Sequence, residues 1–89
     1  GAGLELAQLN GMIWPIAETE GLDSEVVQRA VRIFGARMTG KVDPTYRDTY
    51  AWLLMRSGNK KEARLQAKQA ISESGGKLDS SEELLAKLK

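Results

Sequence analysis

The chain has 89 residues, of which 42% are hydrophobic and 28% charged, and its 13 basic and 12 acidic side chains leave a formal net charge of +1. This balance is typical of one globular domain and excludes intrinsic disorder, and so small a charge does not attract a nucleic-acid backbone. Cysteine and histidine are absent, which excludes thiol chemistry and the usual zinc or haem sites, and no apolar run reaches the roughly 20 residues of a membrane helix. We therefore expect no cofactor, no metal, no nucleic-acid partner and no membrane insertion.

A first helix is predicted over residues 4–20, where apolar side chains recur every three or four positions. These are Leu6, Leu9, Ile13, Ile16 and Ala17. Gly21 follows the last turn and suits a left-handed helix terminator. Pro15 lies inside this helix, where it removes a backbone hydrogen bond and clashes with the carbonyl of Gly11, so we expect a bend between the two residues.

A second helix is predicted to begin after Asp23, a good N-cap, and to be closed by Gly40. Glu25 in its first turn complements the helix dipole. The apolar residues form two neighbouring stripes, which predicts that the helix is covered on two sides. One stripe contains Val26, Ala30, Ile33 and Phe34, and the other contains Val27, Val31 and Met38.

The third and fourth helices are predicted over residues 44–57 and 60–73. Asp43 is the expected N-cap of the third, because Pro44 is pre-set for a first helical position. Gly58 ends the third helix by the same left-handed conformation as Gly21, and Gly75 and Gly76 end the fourth. One face of the fourth helix is mostly alanine, which predicts close packing against a neighbour. Its members are Ala63, Ala67 and Ala70, with Ile71 beside them.

A last short helix is predicted to begin between Asp79 and Ser81. Ser80 and Glu83, three positions apart, predict a capping box at its start. Its apolar face consists of Leu84, Leu85 and Leu88. This face is expected to cap the domain, and the alternative is that it binds another chain.

The first and third predicted helices repeat each other, since residues 10–14 match residues 48–52 at an offset of 38. Ala30 corresponds to Ala67 at an offset of 37, so the second and fourth helices correspond as well. A repeat of this period made of two helices indicates stacked helical hairpins. We therefore predict one all-α domain over residues 4–89, with five helices. It consists of a hairpin at 4–40, a second at 43–74 and a capping helix at 79–89, preceded by an artificial or disordered start at 1–3.

The stretch from Tyr50 to Ala63 resembles a tetratricopeptide repeat, with its Gly58-Asn59-x-x-Glu62-Ala63 core and Ala70 seven residues later. The order of motifs along residues 8–89 is also similar to the helical C-terminal region of thioredoxin-family (thiol-disulfide interchange) proteins of Bacteroidetes. These motifs are Leu9-Asn10 with Trp14, residues 43–51, Gly58 with Glu62-Ala63, and residues 80–85. The resemblance implies a right-handed tetratricopeptide-like array that follows a thiol-disulfide domain in a periplasmic or otherwise exported protein. This chain has no Cys-x-x-Cys, so no redox activity is carried over.

No catalytic constellation emerges from the sequence. The serines lie at helix ends and turns, where capping explains them, and without cysteine or histidine there is no ordinary nucleophile–base pair. The glycines stand at helix ends and do not form a phosphate-binding loop. We therefore predict that the domain is not an enzyme.

In tetratricopeptide arrays the first helix of each hairpin lines a concave groove, and the resemblance places candidate partner-binding residues there. They are Asn10, Trp14, Ala17 and Glu18 from one hairpin, and Asp48, Trp52, Met55 and Arg56 from the next. The alternative is that both indoles belong to the core, where each needs only one hydrogen-bond partner.

The predicted function is a protein–protein interaction or scaffolding module. Its partner is a protein, a peptide or the catalytic domain of its own parent protein. The alternative is self-association as a weak homodimer, through an exposed end face or the capping helix.

Overall fold

A computed structural model describes residues 5–89, which form five α-helices and no β-strand. The helices are α1 (Leu6–Ala17), α2 (Ser24–Gly35), α3 (Pro44–Arg56), α4 (Lys60–Glu73) and α5 (Asp79–Lys87). The all-α, five-helix prediction is therefore confirmed. The expectation for residues 1–3, and the predicted start of the first helix at Leu4, lie outside the described residues.

Two predicted N-caps are confirmed by their hydrogen bonds. The Asp23 carboxylate accepts from the backbone N–H of Glu25, and the Asp43 carboxylate accepts from that of Thr45, each at 2.8 Å. Pro44 occupies the first turn of α3, where its missing N–H costs nothing. Local sequence therefore sets where both helices begin.

The predicted end of α3 is also confirmed, and the geometry is that of a Schellman motif. Gly58 has φ +92°, its N–H donates to Met55 O, and the N–H of Asn59 donates to Leu54 O at 2.9 Å. A side chain at this φ would be strained, which is why glycine ends the helix here.

Two helices, α1 and α2, end three or more residues before their predicted ends. α2 ends at Gly35 and not at Gly40, because the next backbone bonds tighten: the Arg37 N–H donates to Phe34 O and the Met38 N–H to Gly35 O. These are three-residue spacings, so the α-helical ladder has ended.

α1 ends at Ala17, short of residue 20. The side chain of Arg56 donates to the carbonyl of Ala17, which supplies the partner that a further helical N–H would have provided. Pro15 lies inside α1, and the hydroxyl of Thr19 donates to its carbonyl at 2.6 Å. The bend near Pro15 stays a prediction.

The predicted capping box at the start of α5 is wrong. The N-cap is Leu78, whose N–H donates to the carboxylate of Glu82 at 3.0 Å. Ser80 already lies inside the helix, and its hydroxyl accepts a hydrogen bond from the indole of Trp52. The Ser80 side chain, which the local sequence predicted as a cap, therefore bonds to a residue of α3 instead.

α3 is the central helix and contacts each of the other four. Its residues Ala51, Trp52, Leu53 and Leu54 are buried. The alanine face of α4 is also buried: Ala63, Ala67 and Ala70 have no exposed surface, as the close-packing prediction requires. α1 and α2 pack on one side of α3, and α4 and α5 pack against it elsewhere.

α5 contacts α3 and α4 and buries Leu84 and Leu88. α2 contacts α1 and α3, and within residues 5–89 no further helix lies over the α1–α2 hairpin. One hairpin is therefore covered by an additional helix, and the other is not.

Candidate functional site

The two tryptophans of the repeat meet in the structure. Trp14 of α1 and Trp52 of α3 have ring centroids 6.3 Å apart and planes at 86°, an edge-to-face contact. Trp52 is buried, with 4% of its surface exposed, whereas Trp14 is half-buried. Equivalent repeat positions therefore lie side by side, but only Trp14 presents surface to solvent.

Arg56 joins the end of α1 to α3. Its Nε donates to Ala17 O at 2.9 Å and its Nη2 to Glu18 O at 3.3 Å, and its guanidinium carbon lies 5.5 Å from the centroid of the Trp52 ring. Nη1 lies 3.8 Å from the carboxylate of the exposed Glu20. The cation therefore serves as a cap for α1 and as a cation–π partner of Trp52.

Asp48 joins α3 to α5. Its carboxylate is buried and accepts a hydrogen bond from the hydroxyl of Ser81 at 2.6 Å. Burial raises the pKa of Asp48, the hydrogen bond from Ser81 partly offsets this, and the charge of Glu83 raises it further. This carboxyl group holds the start of α5 in place.

A shallow depression of about 260 Å³ lies where α1, α3 and α5 meet. It is lined by Asn10, Trp14, Thr45, Asp48, Thr49 and Ser80. Asn10 Oδ1 is buried and has no hydrogen-bond partner among residues 5–89. A second depression of about 420 Å³ is lined by Glu20, Gly21, Met55, Arg56 and Lys87.

The predicted groove residues therefore fall into two groups. The buried ones are Ala17, Asp48 and Trp52; the more exposed ones are Asn10, Trp14, Glu18, Met55 and Arg56. The structure brings Asn10, Trp14 and Asp48 to one depression and Met55 and Arg56 to another. The burial of Trp52 favours the core interpretation for that indole, and a binding role of the groove stays a prediction.

Sequence reasoning missed the polar contacts between α3 and α4. Arg47 is buried; its Nε donates to the Glu73 carboxylate at 2.9 Å and its Nη1 donates to Gln66 at 2.8 Å. Hydrogen bonds from Gln69 and Arg47 lower the pKa of Glu73. Arg47 begins a run of three polar residues, Arg47-Asp48-Thr49, and nothing in that local pattern distinguishes it from a solvated arginine.

An apolar groove of about 170 Å³ lies between α1 and α2. Its lining residues, called the open face below, are Ile13, Ile16, Val26, Arg29, Ala30 and Ile33. Val26 is 44% exposed and Ile33 is 47% exposed. Met12, one helical turn before Ile16, is also largely exposed and extends the apolar flank of α1.

The open face corrects the prediction that α2 is covered on two sides. Val27, Ala30 and Phe34 are buried, whereas Val26 and Ile33 remain in solvent. Val26 and Ile33 belong to the first predicted stripe, whose other members, Ala30 and Phe34, are buried. Periodicity indicates which side chains share a face, but not whether another element covers that face.

Among residues 5–89, no cluster of three or more acidic, cysteine or histidine side chains is arranged to hold a metal ion. No helix of the described chain is both long and apolar enough to cross a membrane. When the chain was compared with protein-family models, curated proteins and solved structures, nothing matched. Its fold and surfaces define the class of protein: residues 5–89 form an all-α domain of five helices, with an apolar face that none of these helices covers.

Proposed function

We propose that this domain is a non-catalytic protein–protein interaction or scaffolding module, and that the open face is where it docks. The difference between the two hairpins carries this proposal. α5 covers part of the α3–α4 hairpin and buries Leu84 and Leu88, whereas Val26 and Ile33 of the α1–α2 hairpin stay nearly half exposed. A stacked hairpin normally needs a neighbour over each apolar face.

The physical drive for docking is burial of apolar surface. Each Å² of apolar surface removed from water contributes about 25 cal/mol, so a contiguous apolar groove is a favourable place for a partner. Exposed apolar patches rimmed by polar residues mark interaction sites in soluble proteins. Arg29 supplies a polar group within the open face, and it is among the residue types enriched at binding hot spots.

Hydrogen bonds that join elements of the fold engage the buried polar side chains, and this supports a non-catalytic role. Asp48 accepts from Ser81, Arg47 donates to Glu73, and the Arg56 guanidinium caps α1. Each of these contacts joins two elements of the fold. The one hydroxyl–carboxylate contact among them, between Ser81 and Asp48, is buried, with Ser81 0% exposed, so a substrate does not reach this hydroxyl.

We also propose that the domain is a tetratricopeptide-like array from a larger thioredoxin-family protein. The edge-to-face contact of Trp14 and Trp52 supports the repeat, because it brings equivalent positions of the two hairpins together. The motif order along the chain supports the parent family. The gene sequence upstream of Gly3 tests this: a thioredoxin-like domain there supports the parentage, and an unrelated domain contradicts it.

The groove between α1 and α3 is a second candidate docking surface. Trp14 offers a half-exposed indole there, beside Asn10, which is partly exposed as a residue. Five of the six residues that line its depression are polar, so a partner there would bury less apolar surface than at the open face.

Site-specific cross-linking tests the open face. A photo-cross-linking amino acid replaces Ile33 in the full-length protein in its own cells, and Leu65 on α4, which is 54% exposed, is the matched control position. We expect a discrete cross-linked product from position 33, whose partner is identified by mass spectrometry and then titrated as a purified protein. Absence of a product, or the same product from position 65, contradicts docking at the open face.

A further inference from the structure

We propose that the depression between α1, α3 and α5 binds the ammonium group of a lysine side chain that a partner protein presents. This inference rests on the proposed interaction function and names the chemistry recognised at the second candidate docking surface. Three features carry it: the charge of the lining residues, an oxygen without a hydrogen-bond partner, and a half-buried indole.

The depression carries an uncompensated negative charge. Asp48 is the only fully charged residue among the six that line it, and no basic side chain pairs with Asp48 within residues 5–89. Ser81, at the start of α5, donates a hydrogen bond to the carboxylate, yet burial still raises the pKa of Asp48, and the negative charge of Glu83 acts in the same direction. A cation in the depression would supply the missing opposite charge.

Asn10 offers an acceptor to the same ligand. Its Oδ1 is buried and has no hydrogen-bond partner among residues 5–89. Turning the side-chain amide toward the depression therefore breaks no hydrogen bond of this oxygen, and a donor on the ligand would satisfy it. The hydroxyl groups of Thr45 and Ser80 line the same depression and can also accept. A ligand that has several donors and a positive charge fits these groups.

The arrangement of acceptors favours an ammonium over a guanidinium or a metal ion. An ammonium has three diverging donors, whereas a guanidinium binds a carboxylate best through two parallel hydrogen bonds. Ser81 already donates to Oδ1 of Asp48, which hinders such a parallel pair. A single carboxylate is too few for a hard divalent cation, and no cluster of three or more acidic, cysteine or histidine side chains occurs within residues 5–89.

The half-buried Trp14 favours a lysine side chain over a small free amine. Its indole lines the depression, so the methylene stem of a lysine can pack on it while the ammonium reaches Asp48. An aromatic ring also attracts an ammonium through the cation–π interaction. The depression of about 260 Å³ has room for one such side chain. An isolated lysine is therefore expected to bind with a Kd on the order of 1 mM.

Titration of the 89-residue chain with N-acetyl-lysine methylamide, followed by nuclear magnetic resonance, tests the site. The largest shifts are expected at the indole N–H of Trp14 and the side-chain amide of Asn10. N-acetyl-norleucine methylamide has the stem without the charge and should shift neither group. Equal shifts with the lysine and norleucine probes, or tighter binding of the corresponding arginine probe, overturn the ammonium site.

Methylammonium, which has the charge without the stem, distinguishes a lysine from a small amine. It should bind at least about threefold more weakly than the lysine probe, because it buries no apolar stem on Trp14. Equal affinity of the two probes overturns the assignment to a lysine side chain.

Matched substitutions test the role of the carboxylate. Asp48→Asn should raise the Kd of the lysine probe at least about tenfold, because the charge is lost while an oxygen still accepts from Ser81. Asp79→Asn makes the same change at an exposed position of α5 and should leave the Kd unchanged. Circular dichroism checks that both variants are folded, and Asn10→Ala is a second variant that should also weaken binding. Equal effects of Asp48→Asn and Asp79→Asn, or an unchanged Kd in Asn10→Ala, overturn the site.

The cross-linking experiment at position 33 separates this inference from the proposed function. A cross-linked partner at position 33 together with no binding of the lysine probe retains docking at the open face and refutes the ammonium site. Binding of the lysine probe without a product at position 33 retains the ammonium site and refutes docking at the open face.

Discussion

Trp52 donates a hydrogen bond from its indole Nε1 to the hydroxyl of Ser80, with 2.9 Å between the two atoms, although the two residues are 28 positions apart in sequence. This bond ties the central helix α3 to the start of α5. One position further along α5, Ser81 donates to Asp48, so two neighbouring serines hold the helix that buries Leu84. The covered hairpin is thus fixed by polar contacts as well as by apolar packing.

The Trp52–Ser80 bond can be measured by a double-mutant cycle. Ser80→Ala should lower the free energy of unfolding by about 1 kcal/mol, and Trp52→Phe should lower it by about 1–3 kcal/mol because it also leaves unfilled space. Urea unfolding should give a coupling energy of about 1 kcal/mol for the pair. Ser72→Ala, at an exposed position on α4, is the control and should be neutral. A coupling near zero would contradict the bond.

Replacing Arg56 by lysine should lower the free energy of unfolding. Arg56→Lys keeps the charge but cannot donate to both Ala17 O and Glu18 O, so we expect a loss of about 1–2 kcal/mol in unfolding free energy. Hydrogen exchange should quicken at the end of α1. Arg64→Lys is the graded control, because Arg64 donates to the carbonyl of Leu88 at 3.2 Å from one nitrogen. A larger loss at Arg64 than at Arg56 would argue against the cap.

Glu73→Gln tests the ion pair with the buried Arg47. Hydrogen bonds from Gln69 and Arg47 lower the pKa of Glu73, so its carboxylate stabilises the fold above its ordinary pKa of 4.5, and that stabilisation is lost as the pH falls through the lowered value. At pH 7 we expect a loss of about 0.5–1 kcal/mol, discounted because a third of the Glu73 side chain is exposed.

Unfolding free energies of wild type and Glu73→Gln, followed over pH, should therefore converge in acid. Glu18→Gln, at an exposed carboxylate with no ion pair within residues 5–89, is the control. A difference between wild type and Glu73→Gln that persists unchanged into acid would show that the charge of Glu73 is not the cause.

Asp48→Asn should show the opposite pH dependence. Burial raises the pKa of Asp48, so its contribution to stability is fully present below its ordinary pKa of 3.8 and is lost as the pH rises through the raised value. Asparagine retains an oxygen that accepts from Ser81 but carries no charge. The unfolding free energy of Asp48→Asn relative to wild type should therefore increase from acid to neutral pH. A flat or decreasing difference would contradict the desolvation of Asp48.

Glycine substitutions test the termination of α3. Gly58→Ala should cost about 1 kcal/mol, because Gly58 has φ +92°. Gly11→Ala, inside α1 and with no atom within 4 Å of the added methyl group, should stabilise the protein by about 0.5–1 kcal/mol. In thermal unfolding, Gly58→Ala should lower the Tm and Gly11→Ala should raise it. Equal shifts would mean that the conformation at Gly58 is not the reason for its glycine.

Sequence patterns predicted the features that depend on residues close together in the chain. Asp23 and Asp43 cap the helices that follow them, and Gly58 ends α3, because each of these contacts spans only a few residues. Ser80 was assigned to a cap by the same local reasoning, and the assignment failed because an indole from another helix reaches its hydroxyl.

The sequence by itself determined five helices and most of their boundaries, since periodicity and capping act over one or two helical turns. Only the tertiary structure decided which apolar residues of α2 are covered, which groove residues are buried, and where Arg47 and Asp48 find partners. Burial and hydrogen bonding between helices depend on how the helices stack. That arrangement brings together residues far apart in the chain, so no local pattern encodes it.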